Sequence, residues 1–169
     1  TSLQFTTSFT IGLWVKAGST TQTQKYLLNK NNDYGILYEY VNDTVEFFVG
    51  GGRLTGTDPR SSSAISLSDT NWHHIVYTYN GKTFAAYKDG VQISTTQITF
   101  ALIPSSTSMT FGSASSSINF FNGSLDDIRF YNRGLSPVDV ANLYNWAPGP
   151  VGYWKMDEKS GTSAVDSSG

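Results

Sequence analysis

Cysteine is absent from the 169 residues, so neither a disulfide framework nor a thiolate metal site can form. Charge is scarce too: Asp, Glu, Lys and Arg make up 14% of the chain, and 11 basic against 13 acidic residues leave a net charge of -2. The basic residues stand singly, with no field to hold phosphates, so nucleic acid is not an expected partner. No apolar run approaches the roughly 20 residues that span a bilayer, and no signal peptide opens at Thr1. Membrane insertion is not expected, and any export address would lie outside this chain. Histidine occurs only as the adjacent pair His73 and His74.

What is plentiful is aromatic residues, at 14%, and Gly, at 16, in a background of Ser, Thr and Asn that favours strands and turns over helices. A chain this long supports one core that buries on the order of 70% of the unfolded surface. Phe9, Ile11, Leu13 and Val15 alternate with Thr10, Gly12 and Trp14, which predicts a half-buried strand. Strands follow at 25–29, 35–40, 44–49, 64–68 and 72–79. Asn80-Gly81 and Asp89-Gly90 are the strongest hairpin signals. Further strands at 98–102, 109–112 and 118–121 precede a closing strand in which Leu125, Ile128, Phe130 and Tyr131 surround the acids Asp126 and Asp127. Ser136 then caps a short helix near 137–144, with Pro137 at its first position and Asp139 three residues past the cap. The fold class is therefore all-β, an antiparallel two-sheet β-sandwich with one short helix.

Three stretches carry a family resemblance. DDIRFYNRGLS from Asp126 and its helix, DTNWHHIVYTYNG from Asp69 with the hairpin FAAYKDGVQ from Phe84, and FTIGLWVK from Phe9 resemble the closing, middle and early strands of laminin G-like domains. These belong to the concanavalin A-like lectin and glucanase superfamily, and the resemblance implies a jelly roll. Residues 1–147 would form a sandwich lacking its first strands, and 148–151 a Pro/Gly linker. Residues 152–169 resemble the opening strand of such a domain. That strand, Gly152 to Glu158, could belong to the next repeat of an array, close its own sheet by circular permutation, or pair with a neighbouring molecule. Tyr153, Trp154 and Met156 favour pairing somewhere, since exposing each costs roughly 1.5–3 kcal/mol.

Catalysis finds little support. The E-x-D-x-x-E spacing of the superfamily's glycosidases is missing. Asp126 and Asp127, as adjacent strand residues, should point to opposite faces and fail as a hydrolytic pair. His73 and His74 should likewise alternate, one near the core and one in solvent, rather than ligate metal. Trp14, Trp72 and Trp154 are expected in the core.

Tyr34, Tyr38 and Tyr40 beside one turn, Arg53 in the exposed loop that follows Gly50 to Gly52, and Trp146 next to the linker are the candidate ligand-binding residues. The resemblance also implies a structural calcium, held by Asp127 of the closing strand and Asp166 of the opening turn; Asp127 could instead pair with Arg129 or Arg133. The expected function is a non-catalytic extracellular or cell-surface module that recognises a glycan or an extracellular protein. A structural repeat that assembles through strand 152–158 is the alternative, and a glycoside hydrolase the remote one.

Overall fold

Alternation along β1 (Phe9–Ala17) sends Phe9, Ile11, Leu13 and Val15 to one face, where all are essentially inaccessible to solvent. The computed structural model describes residues 3, 5, 7–18, 25–30, 34–49, 54–56, 63–98, 100–102, 107–114 and 119–145. In chain order the remaining elements are β2 (Lys25–Asn29), β3 (Tyr34–Glu39), β4 (Thr44–Val49), β5 (Leu54–Gly56), β6 (Ile65–Ser66) and β7 (His73–Tyr79). They are followed by β8 (Thr83–Lys88), β9 (Val91–Gln97), β10 (Phe100–Leu102), β11 (Thr110–Phe111), β12 (Gly123–Tyr131) and the helix α1 (Pro137–Asn145). Among the described residues of the stretch expected as a strand at 118–121, Phe120 forms a single bridge, to Tyr26.

Two antiparallel five-stranded sheets, β12-β1-β7-β8-β9 and β11-β2-β3-β4-β6, face each other as a sandwich, with β5 and β10 paired apart from them. Phe9, Phe47, Tyr77 and Phe84 form the centre of the core, Phe47 lying 5.2–5.8 Å from the other three rings. The Tyr77 hydroxyl crosses from β7 to the opposite sheet, reaching the carbonyl of Val45 at 2.8 Å and that of Ser63 at 2.9 Å. A buried phenol with both contacts within 3 Å ties the sheets as well as filling space.

The helix lies on the outer face of the first sheet. Ser136 Oγ accepts the Asp139 amide at 3.1 Å while Asp139 accepts the Ser136 amide at 3.1 Å, a reciprocal cap of the kind the sequence predicts. Val140 is fully buried against Val76, Ala85, Tyr87 and Leu135. Thr10 Oγ1 fixes the approach to the helix, donating to the Arg133 carbonyl at 2.8 Å and accepting the Leu135 amide at 2.9 Å.

The two histidines alternate as expected, but because the helix covers the outer face, the expectation that one of them meets solvent is corrected. His74 points outward yet is only 3% exposed, in a cluster of three rings with Trp14 and Tyr144, whose centroids lie 5.2 and 6.2 Å from its own. Trp14 thus packs beneath the helix rather than between the sheets. Trp72 departs further, since it is 41% exposed at the start of β7 instead of packing in the core.

A bulge in β12 corrects the expectation for the paired acids. Gly12 pairs with Arg129 but Trp14 pairs with Asp126, so Asp127 and Ile128 together oppose Leu13. Asp127 adopts φ 44° there. Regular alternation is lost, Ile128 keeps its place against the core, and Asp127 reaches Arg129 on the outer side.

Candidate functional site

At one end of the sandwich the exits of β1, β3 and β6 enclose a cleft of about 320 Å³. Its walls are Ala17 and Gly18 after β1, Tyr38, Tyr40 and Asp43 around the β3–β4 turn, and Leu67 to Thr70 after β6. Gly18 donates its amide to the Asn122 carbonyl at 2.8 Å, and Leu67 donates to the Asp43 carbonyl at 2.7 Å, so backbone hydrogen bonds hold the walls together.

The expected exposed set of Tyr34, Tyr38 and Tyr40 is corrected in part. Tyr34 and Tyr38 share the face of Ile36 along β3 and are 2% and 3% exposed; strand alternation carries them into the core, where Tyr34 donates its hydroxyl to the Leu3 carbonyl at 2.8 Å. Tyr40 is the half-buried member, set edge-on to Tyr38 with centroids 4.4 Å apart at the cleft rim. The Tyr38 hydroxyl donates to Asp43 Oδ1 at 3.0 Å. Burial and the Asp43 carboxylate push that phenol well above its ordinary range, so it remains a donor and holds Asp43 in place. Arg53 and Trp146 lie outside the described residues.

Asp69, on the opposite wall, was not singled out from the sequence as a binding residue. Its Oδ1 accepts the Asn71 amide at 2.7 Å and meets His73 Nε2 at 3.0 Å, and the Asn71 side chain also bonds the carboxyl. These hydrogen bonds, the Asn71 amide first, hold the carboxyl below the usual aspartate range. The other ring nitrogen of His73 lies 2.7 Å from Asp89 Oδ2, and Asp89 Oδ1 accepts the His74 amide at 2.9 Å. The imidazole therefore separates two carboxylates and commits both nitrogens to them. Neither nitrogen is left to act as a base toward a nucleophile, and the carboxylates cannot converge on one cation. The visible signal was Asp69-Thr70-Asn71, an Asx-turn pattern four residues ahead of a histidine.

The acids expected to hold calcium fare differently. Asp127 turns both carboxylate oxygens to Arg129, with Nε at 2.8 Å and Nη2 at 2.7 Å, so it presents no uncommitted oxygen to a cation. This is the pairing weighed against calcium in the sequence. Asp166 lies outside the described residues, and among those described no group of three or more His, Asp or Glu side chains is placed to hold a metal.

Two further clefts flank the helix. One is lined by Arg129, Tyr131, Arg133 and Asp139, where the guanidinium groups already face Asp127 and Asp139. The other has Tyr87 in its wall, but that ring is 2% exposed and cannot stack on a ligand. The end cleft combines an accessible aromatic, hydroxyls and carboxylates.

Comparison with known proteins agrees with this architecture. The family model of the concanavalin A-like lectin/glucanases superfamily, laminin G group, matches residues 1–141. The chain belongs to this family. No curated protein sequence matches it. Among solved structures it resembles a proposed carbohydrate-binding protein from Bacteroides ovatus, with TM-score 0.65 and 15% identity over 81% of this chain and 40% of that one. It also resembles domain 4 of AbnA, a GH43 extracellular arabinanase from Geobacillus stearothermophilus solved with arabinotriose, at TM-score 0.63 and 17% identity over 83% of this chain and 68% of that one. The binding domain of paraclostridial mosquitocidal protein 1 gives TM-score 0.64 and 20% identity over 85% of this chain and 38% of the other. At these identities the likeness establishes the jelly roll. The chain spans 40% of the length of the first of them.

Proposed function

We propose that the protein is a non-catalytic binding module that takes carbohydrate in the end cleft, in an extracellular or cell-surface setting. The observation that carries this reading is the half-buried Tyr40 lining one cleft with Asp43, Ser68, Asp69 and Thr70. An aromatic face suits the C–H face of a sugar ring, and convergent carboxylates and hydroxyls suit its hydroxyl groups. The fold shared with a domain solved with arabinotriose supports the same direction. Affinity electrophoresis through arabinan, galactan and mannan tests the proposal. Tyr40→Ala should abolish retardation by a glycan that retards the native protein; equal retardation of both would remove the cleft from consideration.

A protein partner has one observation in its favour: β9 is an edge strand on which Val91 and Ile93 are 65% and 51% exposed, a surface suited to strand addition. Self-assembly through 152–158 draws on the other edge of that sheet, where Leu125, Ile128 and Phe130 of β12 are only partly buried. Light scattering on the full chain and on one ending at Pro150 separates these readings: ordered multimers lost on truncation would favour assembly, and a monomer throughout would count against it.

A further inference from the structure

Resting on the reading of the end cleft as a sugar site, we infer that this cleft selects its ligand by charge, taking neutral glycans and rejecting uronates and other acidic sugars, with Asp69 as the specificity-determining residue. Among the described residues two carboxylates, Asp43 and Asp69, line the cleft and no Lys or Arg does. Lys88 Nζ donates to the Ser66 carbonyl at 2.8 Å, and the His73 ring is held between Asp69 and Asp89. A ligand carboxylate seated there would meet like charge with no guanidinium among the described lining residues to receive it, the reverse of the arrangement that recognises anions.

A neutral sugar meets the opposite situation. Asn71 and His73 hold Asp69 Oδ1, which fixes the carboxylate as an oriented acceptor for ring hydroxyls. His73 is a positioning residue in this scheme. Asp89 holds it from behind through Nδ1, and the Asx turn holds Asp69 from its own loop. The Asp69 side chain is 45% exposed, which is enough to meet a ligand while its inner oxygen remains tied.

The test compares neutral and anionic polysaccharides on the full chain at low salt, galactan against polygalacturonate and mannan against alginate, by affinity electrophoresis and calorimetry. The native protein should bind at least one neutral glycan, and bind its acidic counterpart at least tenfold more weakly, with the gap narrowing as salt is added. Asp69→Asn, which preserves shape and removes the charge, should weaken neutral binding and shrink the gap. His73→Gln leaves both cleft carboxylates in place and should weaken neutral binding without shrinking it. Equal binding of neutral and acidic glycans by the native protein, or a gap that Asp69→Asn leaves untouched, overturns the charge selection while the sugar site stands if Tyr40→Ala still abolishes binding. Absence of binding to every glycan overturns both.

Discussion

Replacing Tyr77 with Phe removes one oxygen atom from the centre of the sandwich and should cost about 1–3 kcal/mol. The ring is fully buried, 5.8 Å from Phe47 and 5.9 Å from Phe84, and Tyr77→Phe keeps those contacts. What disappears is the hydroxyl that bonds the carbonyls of Val45 and Ser63 at 2.8 and 2.9 Å. Both acceptors belong to buried backbone on the far side of the interface, so water cannot replace the phenol without opening the core. Burial holds the phenol far above its ordinary range, so the native hydroxyl remains a donor at any working pH. For a domain of this length, a loss of that size lowers Tm by roughly 2–12 °C. Urea titration should show a lower midpoint with an unchanged slope, the mark of lost stability rather than altered compactness. A variant within about 0.3 kcal/mol of the native protein would refute the reasoning and mean that the two sheets are joined by apolar packing alone.

Thr10→Val preserves volume but strips the group that serves both the Arg133 carbonyl and the Leu135 amide; about 1–3 kcal/mol should be lost in urea titration, since the buried Leu135 amide loses its acceptor. Gly35→Ala should fail to fold or lose more than about 2 kcal/mol in the same assay, because its new methyl group would collide with the Leu28 carbonyl and lie 2.6 Å from the Phe48 ring. His74, buried with Nδ1 unpartnered, has its pKa lowered chiefly by burial, with Asp127 and Asp89 opposing and Arg129 assisting. The stability that its neutral ring contributes is complete above the unfolded pKa of about 6.5 and falls as pH drops below it, at most about 1.4 kcal/mol per pH unit, until the lower folded value is reached. His74→Phe should flatten that part of the profile when urea midpoints at pH 7.5 and 5.5 are compared, and an unchanged difference would assign the slope to other groups.

Period-two alternation made β1 legible, and the Asp89-Gly90 pair announced its hairpin, with φ of 51° and 78° at the two residues. The helix was legible from Ser136, Pro137 and Asp139 because capping is local chemistry. Its destination was not local. Only the placement of Val140 over Val76 and Tyr144 over His74 shows that the outer face is covered, and this is why a histidine expected in solvent is buried. The bulge at Asp127 escaped for a similar reason, since register depends on the partner strand rather than on the sequence of β12. The cleft was half legible: Tyr34, Tyr38 and Tyr40 were named as binding residues, and alternation puts all three on the face of Ile36, so what sets Tyr40 apart is that β3 ends at Glu39. Asp69 required knowing that the stretch after β6 meets the β3–β4 turn, a contact between residues far apart in the chain.

Asp89 shows why the hairpin residue matters beyond the turn. An Asn would tolerate the same backbone, as left-handed geometry suits both side chains. Asn, however, has a single acceptor oxygen, and Asp89 uses two: Oδ1 receives the His74 amide and Oδ2 meets the His73 ring. An amide nitrogen in either place would face a donor or leave one unmet. The next residue adds a second constraint, because a Cβ on Gly90 would lie 3.1 Å from Tyr144 on the helix. One Asp-Gly pair thus closes the β8–β9 hairpin, admits the helix on the outer face, and anchors the imidazole that orients Asp69 at the cleft. The chemistry of the cleft therefore depends on a turn that contributes no atom to its walls.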